Sequence, residues 1–131
     1  MSARVLVWGA GAVGGSIGAA LVRSGHDVTF VDADLRHVSA LRDPALGLAI
    51  EENGVPSRAP VRAFAPDEVE GVWDRALLCV KAQHTGAAAR ALAPHLGSNG
   101  WVASLQNGLT ERLVAEAVGV ERTIGGFVNF G

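Results

Sequence analysis

Val5-Leu6-Val7-Trp8-Gly9-Ala10-Gly11-Ala12-Val13-Gly14 decides how the rest of the chain is read. The run from Arg4 to Trp8 is short, apolar and rich in Val, the pattern of a strand buried on both faces, and it stops at Gly9. Ala12 to Ser24 has the composition of a helix, and Gly25 stands where a left-handed residue ends one. Asp27 to Val31 is a second β-branched run, closed by Asp32. Strand, tight glycine turn, helix and strand in about thirty residues make a βαβ unit, which is right-handed and parallel.

Within that unit, Gly9-Ala10-Gly11-Ala12-Val13-Gly14 fits G-x-G-x-x-G. The pattern alone is weak; after a strand and before a helix it is the dinucleotide fingerprint. Gly9 permits the tight turn, Gly11 lets a pyrophosphate approach the backbone, and Gly14 lets helix and strand pack closely. The N–H groups at the helix start, with about half a positive charge from the macrodipole, suit phosphate. Gly9, Ala10, Gly11, Ala12, Val13 and Gly14 are therefore candidate cofactor-binding residues, the competing reading being a glycine packing turn without ligand. Asp32 lies eighteen residues after Gly14, where an acid bonds the ribose hydroxyls of NAD and repels a 2′-phosphate. It favours NAD, with NADP as the alternative. Asp32 also reads as a turn residue or helix cap, as does Asp34, and Arg36 could reach a 2′-phosphate.

Working outward, Leu35 to Arg42 reads as a helix closed by Pro44. Asn53-Gly54 sits between two extended runs, Gly47 to Glu51 and Val55 to Arg58, and predicts an antiparallel hairpin near residues 47–58. Val61 to Phe64 follows as a strand and Pro66 to Val69 as a helical turn. Arg75 to Lys81 reads as a strand, Thr85 to Leu96 as a helix capped by Thr85, and Trp101 to Leu105 as a strand. Leu109 to Val118 reads as a helix and Thr123 to Phe130 as the start of a strand. Alternating strands and helices imply a Rossmann-type doubly wound, mostly parallel α/β sheet with helices on both faces. Residues 1–131 form one dinucleotide-binding domain in this reading.

Ligands of such sheets sit beyond the carboxyl ends of the strands. Lys81-Ala82-Gln83-His84-Thr85 and Gln106-Asn107-Gly108 fall there. Lys81 offers charge to a cofactor phosphate or substrate carboxylate, and Asn107 offers donor and acceptor to nicotinamide or a substrate oxygen. A solvated lysine and an Asn-Gly turn are the plainer alternatives. His84 is read as a surface loop residue rather than a general acid. No histidine, cysteine or carboxylate grouping has metal-ligand spacing.

Composition narrows the class. The 131 residues carry a net charge of −2 with no basic stripe, which argues against nucleic acid. The single cysteine, Cys79, excludes an internal disulfide and reads as a buried thiol, consistent with a cytoplasmic protein. The uncharged run from Val5 to Val22 is too rich in Gly and Ala for an anchor and is read as buried strand and helix, not as a membrane segment.

Four segments occur together in order: Val7 to Gly15, Val80-Lys81-Ala82-Gln83-His84-Thr85, Leu105-Gln106-Asn107-Gly108-Leu109 and Ile124-Gly125-Gly126-Phe127. In this the chain resembles, over essentially its whole length, the N-terminal domain of the ketopantoate reductases (2-dehydropantoate 2-reductases). The resemblance implies hydride transfer from a nicotinamide to a small 2-keto acid, in the setting of pantothenate biosynthesis. It places Lys81 and Gln83 at the cofactor and Asn107 at cofactor and substrate, where Asn107 assists by orientation. Members that use NADPH commonly carry a basic residue where this chain has Asp32, which again favours NAD. The resemblance also implies that the general-acid lysine belongs to a helical C-terminal domain, which is expected to lie outside this chain. The chain alone is thus expected to bind cofactor without turnover and, with that surface uncovered, to favour homo-oligomers. The rival readings are a stand-alone NAD-binding module without chemistry and the cofactor half of another two-domain dehydrogenase.

Overall fold

The computed structural model describes residues 3–105 and 110–126. Its elements run β1 (Arg4–Trp8), α1 (Ala12–Arg23), β2 (Asp27–Val31), α2 (Leu35–Arg42), β3 (Leu48–Glu52), β4 (Val55–Ala59), β5 (Arg62–Phe64), β6 (Trp73–Leu78), α3 (Thr85–Leu92), β7 (Leu96–Leu105), α4 (Thr110–Val118) and β8 (Thr123–Gly126). Six strands form one sheet in the order β5-β2-β1-β6-β7-β8, every neighbouring pair parallel. Parallel strands need crossovers, and the helices supply most of them.

The alternation of a strand sorts the core into two layers. Val5, Val7, Val28 and Phe30 face one way, against Val38 and Leu41 of α2, Leu48 and Ile50 of β3, and the α1 residues Ala19, Leu21 and Val22. Leu6, Trp8, Val31, Ala76, Leu78 and Val102 face the other, against Ala88, Ala89 and Leu92 of α3 and Val114 and Val118 of α4. Both faces of the sheet are covered, which is why its strands read as continuous apolar runs. Among the described residues no helix is long and apolar enough to cross a membrane.

Local chemistry sets several boundaries where the sequence puts them. The α1 helix ends in a Schellman arrangement: Gly25, at φ +88°, donates to Val22 O and the His26 N–H donates to Leu21 O. The hairpin β3–β4 turns at Asn53 and Gly54, with φ of 53° and 78°, the positive pair that a type I′ turn requires. Residues 66–68 form a turn closed by Glu68 N–H to Ala65 O.

Three expected boundaries are corrected. The strand expected over Arg75 to Lys81 is β6, which begins at Trp73, paired with Leu96, and ends at Leu78. Lys81 is beyond the strand, at the start of a 3-10 turn over Ala82–His84. The helix expected over Thr85 to Leu96 is α3 over Thr85–Leu92 followed by a 3-10 turn over Ala93–His95; Pro94 has no N–H to continue the α ladder. Thr85 is not the cap: His84 holds that position, and Thr85 is fully buried inside the first turn. The strand expected from Trp101 starts earlier, at Leu96. The part of the last strand beyond Gly126 lies outside the described residues.

Candidate dinucleotide site

The sheet order places β1 between β2 and β6, and the chain runs outward from β1 in one direction and then in the other. Trp8 is in register with Val31 and with Leu78, so the turns after β1, β2 and β6 leave the sheet at one edge. That is the topological switch point, where the following loops part and leave a crevice.

The glycine turn is built into this seam. Gly9 donates its N–H to Val31 O at 2.7 Å and holds φ at +106°. A Cβ there would stand 2.8 Å from both the carbonyl carbon and oxygen of Cys79, so the exit of β6 packs directly on the turn. A Cβ on Gly14 would collide with Gly9 O, and one on Gly18 with the Phe30 ring. These glycines are required by packing. Gly11 is different: it is the N-cap of α1 at φ −72°, and a Cβ added to it would meet nothing within 4 Å. No side chain caps the helix start. An open glycine before uncapped N–H groups is a cradle that fits a phosphate.

Asp32 is tied to the same turn. Its Oδ2 accepts the Ala10 N–H at 2.6 Å and its Oδ1 accepts the Asp34 N–H at 2.7 Å, with the side chain 14 % exposed. Asp34 is the cap of α2: its Oδ1 accepts the Arg36 N–H at 3.0 Å. Arg36, the cation that could reach a 2′-phosphate, bonds Asp34 through Nε and Nη2 instead, at 3.2 and 3.0 Å. The side chain and then the backbone N–H of Arg36 hold the Asp34 carboxyl down at about 2.

The structure thus gathers Gly9 to Gly14, Asp32 and the residues after β6 at one edge. Lys81 and Gln83 are exposed there, on the 3-10 turn, and the Lys81 carbonyl accepts the His84 N–H. Asn107 lies outside the described residues, as do Gln106, Gly108 and Leu109. Cys79 is no nucleophile: burial pushes its thiol up to about 12. Trp8, although next in sequence to the turn, is buried on the α3 side with its ring 6.4 Å from that of His95.

Sequence reasoning passed over His37, whose Nδ1 lies 3.3 Å from Asp32 Oδ2. The signal was present. With Asp34 as cap, His37 occupies the third helical position, the one from which a side chain reaches back across the helix start. A groove lined by His26, Asp27, Val61 and Arg62 belongs to the opposite edge of the sheet and touches none of these residues. Among the described residues no group of His, Cys, Asp and Glu could hold a metal ion.

Residues 5–131 match the family model described as Ketopantoate reductase PanE/ApbA. A 2-dehydropantoate 2-reductase of Mesorhizobium japonicum is 37 % identical over 106 residues, which are 81 % of this chain and 32 % of that protein. The chain therefore spans about a third of that relative's length. Among solved structures, a putative 2-dehydropantoate 2-reductase from Enterococcus faecalis superposes with a TM-score of 0.82 at 30 % identity, over 93 % of this chain and 40 % of that one. A D-mandelate dehydrogenase solved with NADH and anilino(oxo)acetate gives 0.84 at 27 % identity, over 94 % of this chain and 40 % of that one.

Proposed function

Because the chain belongs to the ketopantoate reductase family, we propose that it is the dinucleotide-binding part of a 2-keto acid reductase, an enzyme that passes hydride from NAD(P)H to the keto carbon. The observation that carries this reading is the uncapped start of α1 behind the open Gly11, at the seam where β1 and β6 part. In it Gly9, Ala10, Gly11, Ala12, Val13 and Gly14 hold the pyrophosphate through backbone N–H groups. Asp32 faces the adenosine ribose, Lys81 and Gln83 flank the cofactor, and Asn107 orients nicotinamide and substrate. The bound nicotinamide supplies the hydride; orientation by the chain's own groups lowers the barrier by fixing the approach.

NADH is the preferred cofactor in this reading. Asp32 puts a carboxylate where a 2′-phosphate would sit, and Arg36 is engaged by Asp34. The likeness to a dehydrogenase solved with NADH supports the same choice. Association of copies is favoured by Val120 and Ile124, 77 % and 50 % exposed beside and on the edge strand β8.

Calorimetric titration of the chain with NADH and with NADPH tests the proposal. Saturable binding, tighter for NADH, is expected; heat from neither nucleotide would refute it.

A further inference from the structure

The carboxylate of Asp32 is held from three sides: by Ala10 N–H of the glycine turn, by Asp34 N–H of the following loop, and by His37 on α2. His37 is the more exposed partner, 46 % against 14 %. Among the described residues of α2 and of the strand packed on it, the arginines are engaged by other groups. Arg36 is bound to Asp34, and Arg42 donates to Ala63 O and Glu68. Arg62 of β5, the strand packed on α2, is held by Asp27 at the opposite edge. The glycine turn contributes backbone alone. Among the described residues, the charged groups that interact with His37 or its partners at the start of α2 are Asp32, Asp34 and Arg36.

Resting on the dinucleotide reading above, we propose that His37 is a specificity-determining residue at the adenosine end of the site. Through its pairing with Asp32 it decides between a ribose with a free 2′-hydroxyl and one bearing a 2′-phosphate. A neutral imidazole donating Nδ1–H to Asp32 Oδ2 leaves the pair with one negative charge, which accepts a hydroxyl and repels a phosphate. An imidazolium makes the pair neutral and adds a cationic donor, so the handicap of the 2′-phosphate shrinks.

The test is the ratio of NADPH to NADH dissociation constants for the 131-residue chain, measured by calorimetry at about pH 8 and about pH 5.5, the span over which imidazole ordinarily titrates. It is measured for the wild type, His37→Gln and His37→Arg. A phosphate monoester takes up its own proton near pH ~6, which moves the ratio in every variant, so the wild type is read against His37→Gln. The inference expects the ratio to fall on acidification roughly threefold more in the wild type than in His37→Gln. It also expects His37→Arg to show the lower ratio already at pH 8. Equal pH responses in wild type and His37→Gln, or an unchanged ratio in His37→Arg, overturn it. If the wild type binds neither nucleotide, the dinucleotide reading itself falls and takes this inference with it. The site of substitution is exposed, in the first turn of α2, and thermal melting confirms that each variant is folded.

Discussion

Two glycines of one motif do different work, and substitution separates them. Gly14→Ala drives a methyl into Gly9 O, and backbone cannot yield as a side-chain tip can. It is expected to destabilise the chain by about 1–3 kcal/mol in urea denaturation. Gly11→Ala places its methyl in open space at an ordinary φ, so the denaturation midpoint should stay put. Binding of NADH should nevertheless weaken about tenfold, ~1.4 kcal/mol, because that space is where the phosphate is proposed to lie. A stable Gly11→Ala variant with unchanged affinity would remove the pyrophosphate from this turn. The fingerprint spacing already assigns Gly14 to packing and Gly11 to the ligand, and the neighbours show Gly14 closed in by Gly9 O and Gly11 open. His37 was harder to read, because its role depends on how far a ring reaches back from α2.

Among the elements, α1 rests on β2 through Gly18, whose missing side chain makes room for the buried ring of Phe30. Gly18→Ala should cost about 1–3 kcal/mol, and Phe30→Leu in the same chain should return part of it. A double-mutant cycle is expected to give a coupling of at least ~0.5 kcal/mol; additive effects would contradict the contact. The α2 helix carries a pH signature. The Asp34 carboxyl sits at about 2 when folded, below its ordinary 3.8. A depressed folded value means that its stabilisation is whole above about pH 4 and disappears as the pH falls toward 2. Asp34→Asn should therefore flatten the loss of thermal stability over that acid window, read by circular dichroism, and leave the neutral arm of the profile parallel to the wild type. Element boundaries were legible where a local rule fixed them, as at Gly25 and Asn53-Gly54. They were not where tertiary contact did: β6 ends at Leu78 because its exit docks on Gly9, whereas the apolar run reads through to Val80. Thr85 obeyed burial over capping for the same reason.

For the whole molecule, a ligand that binds only the folded chain stabilises it by mass action. NADH at about a hundred times its dissociation constant should add ~2.7 kcal/mol. For a chain of this size that raises the melting temperature on the order of 10 °C, with a smaller rise for NADPH at equal concentration. A melting curve indifferent to saturating NADH would argue that the seam holds no dinucleotide. The parallel architecture itself was legible because buried strands announce themselves as apolar runs between glycine punctuation.

The docking of Gly9 on Cys79 also gives the site a clock. The two residues are 70 positions apart in a chain made from its N-terminus. At about 5–20 residues per second, β1, α1 and β2 leave the ribosome several seconds before the strand that completes their edge. Throughout that interval the nascent chain carries a glycine turn with one wall missing, and Leu6, Val7 and Trp8 have no partner for their open side until Ala76 to Leu78 arrive. Newly made chains should therefore pass through a short period in which the fingerprint is present and the seat is not.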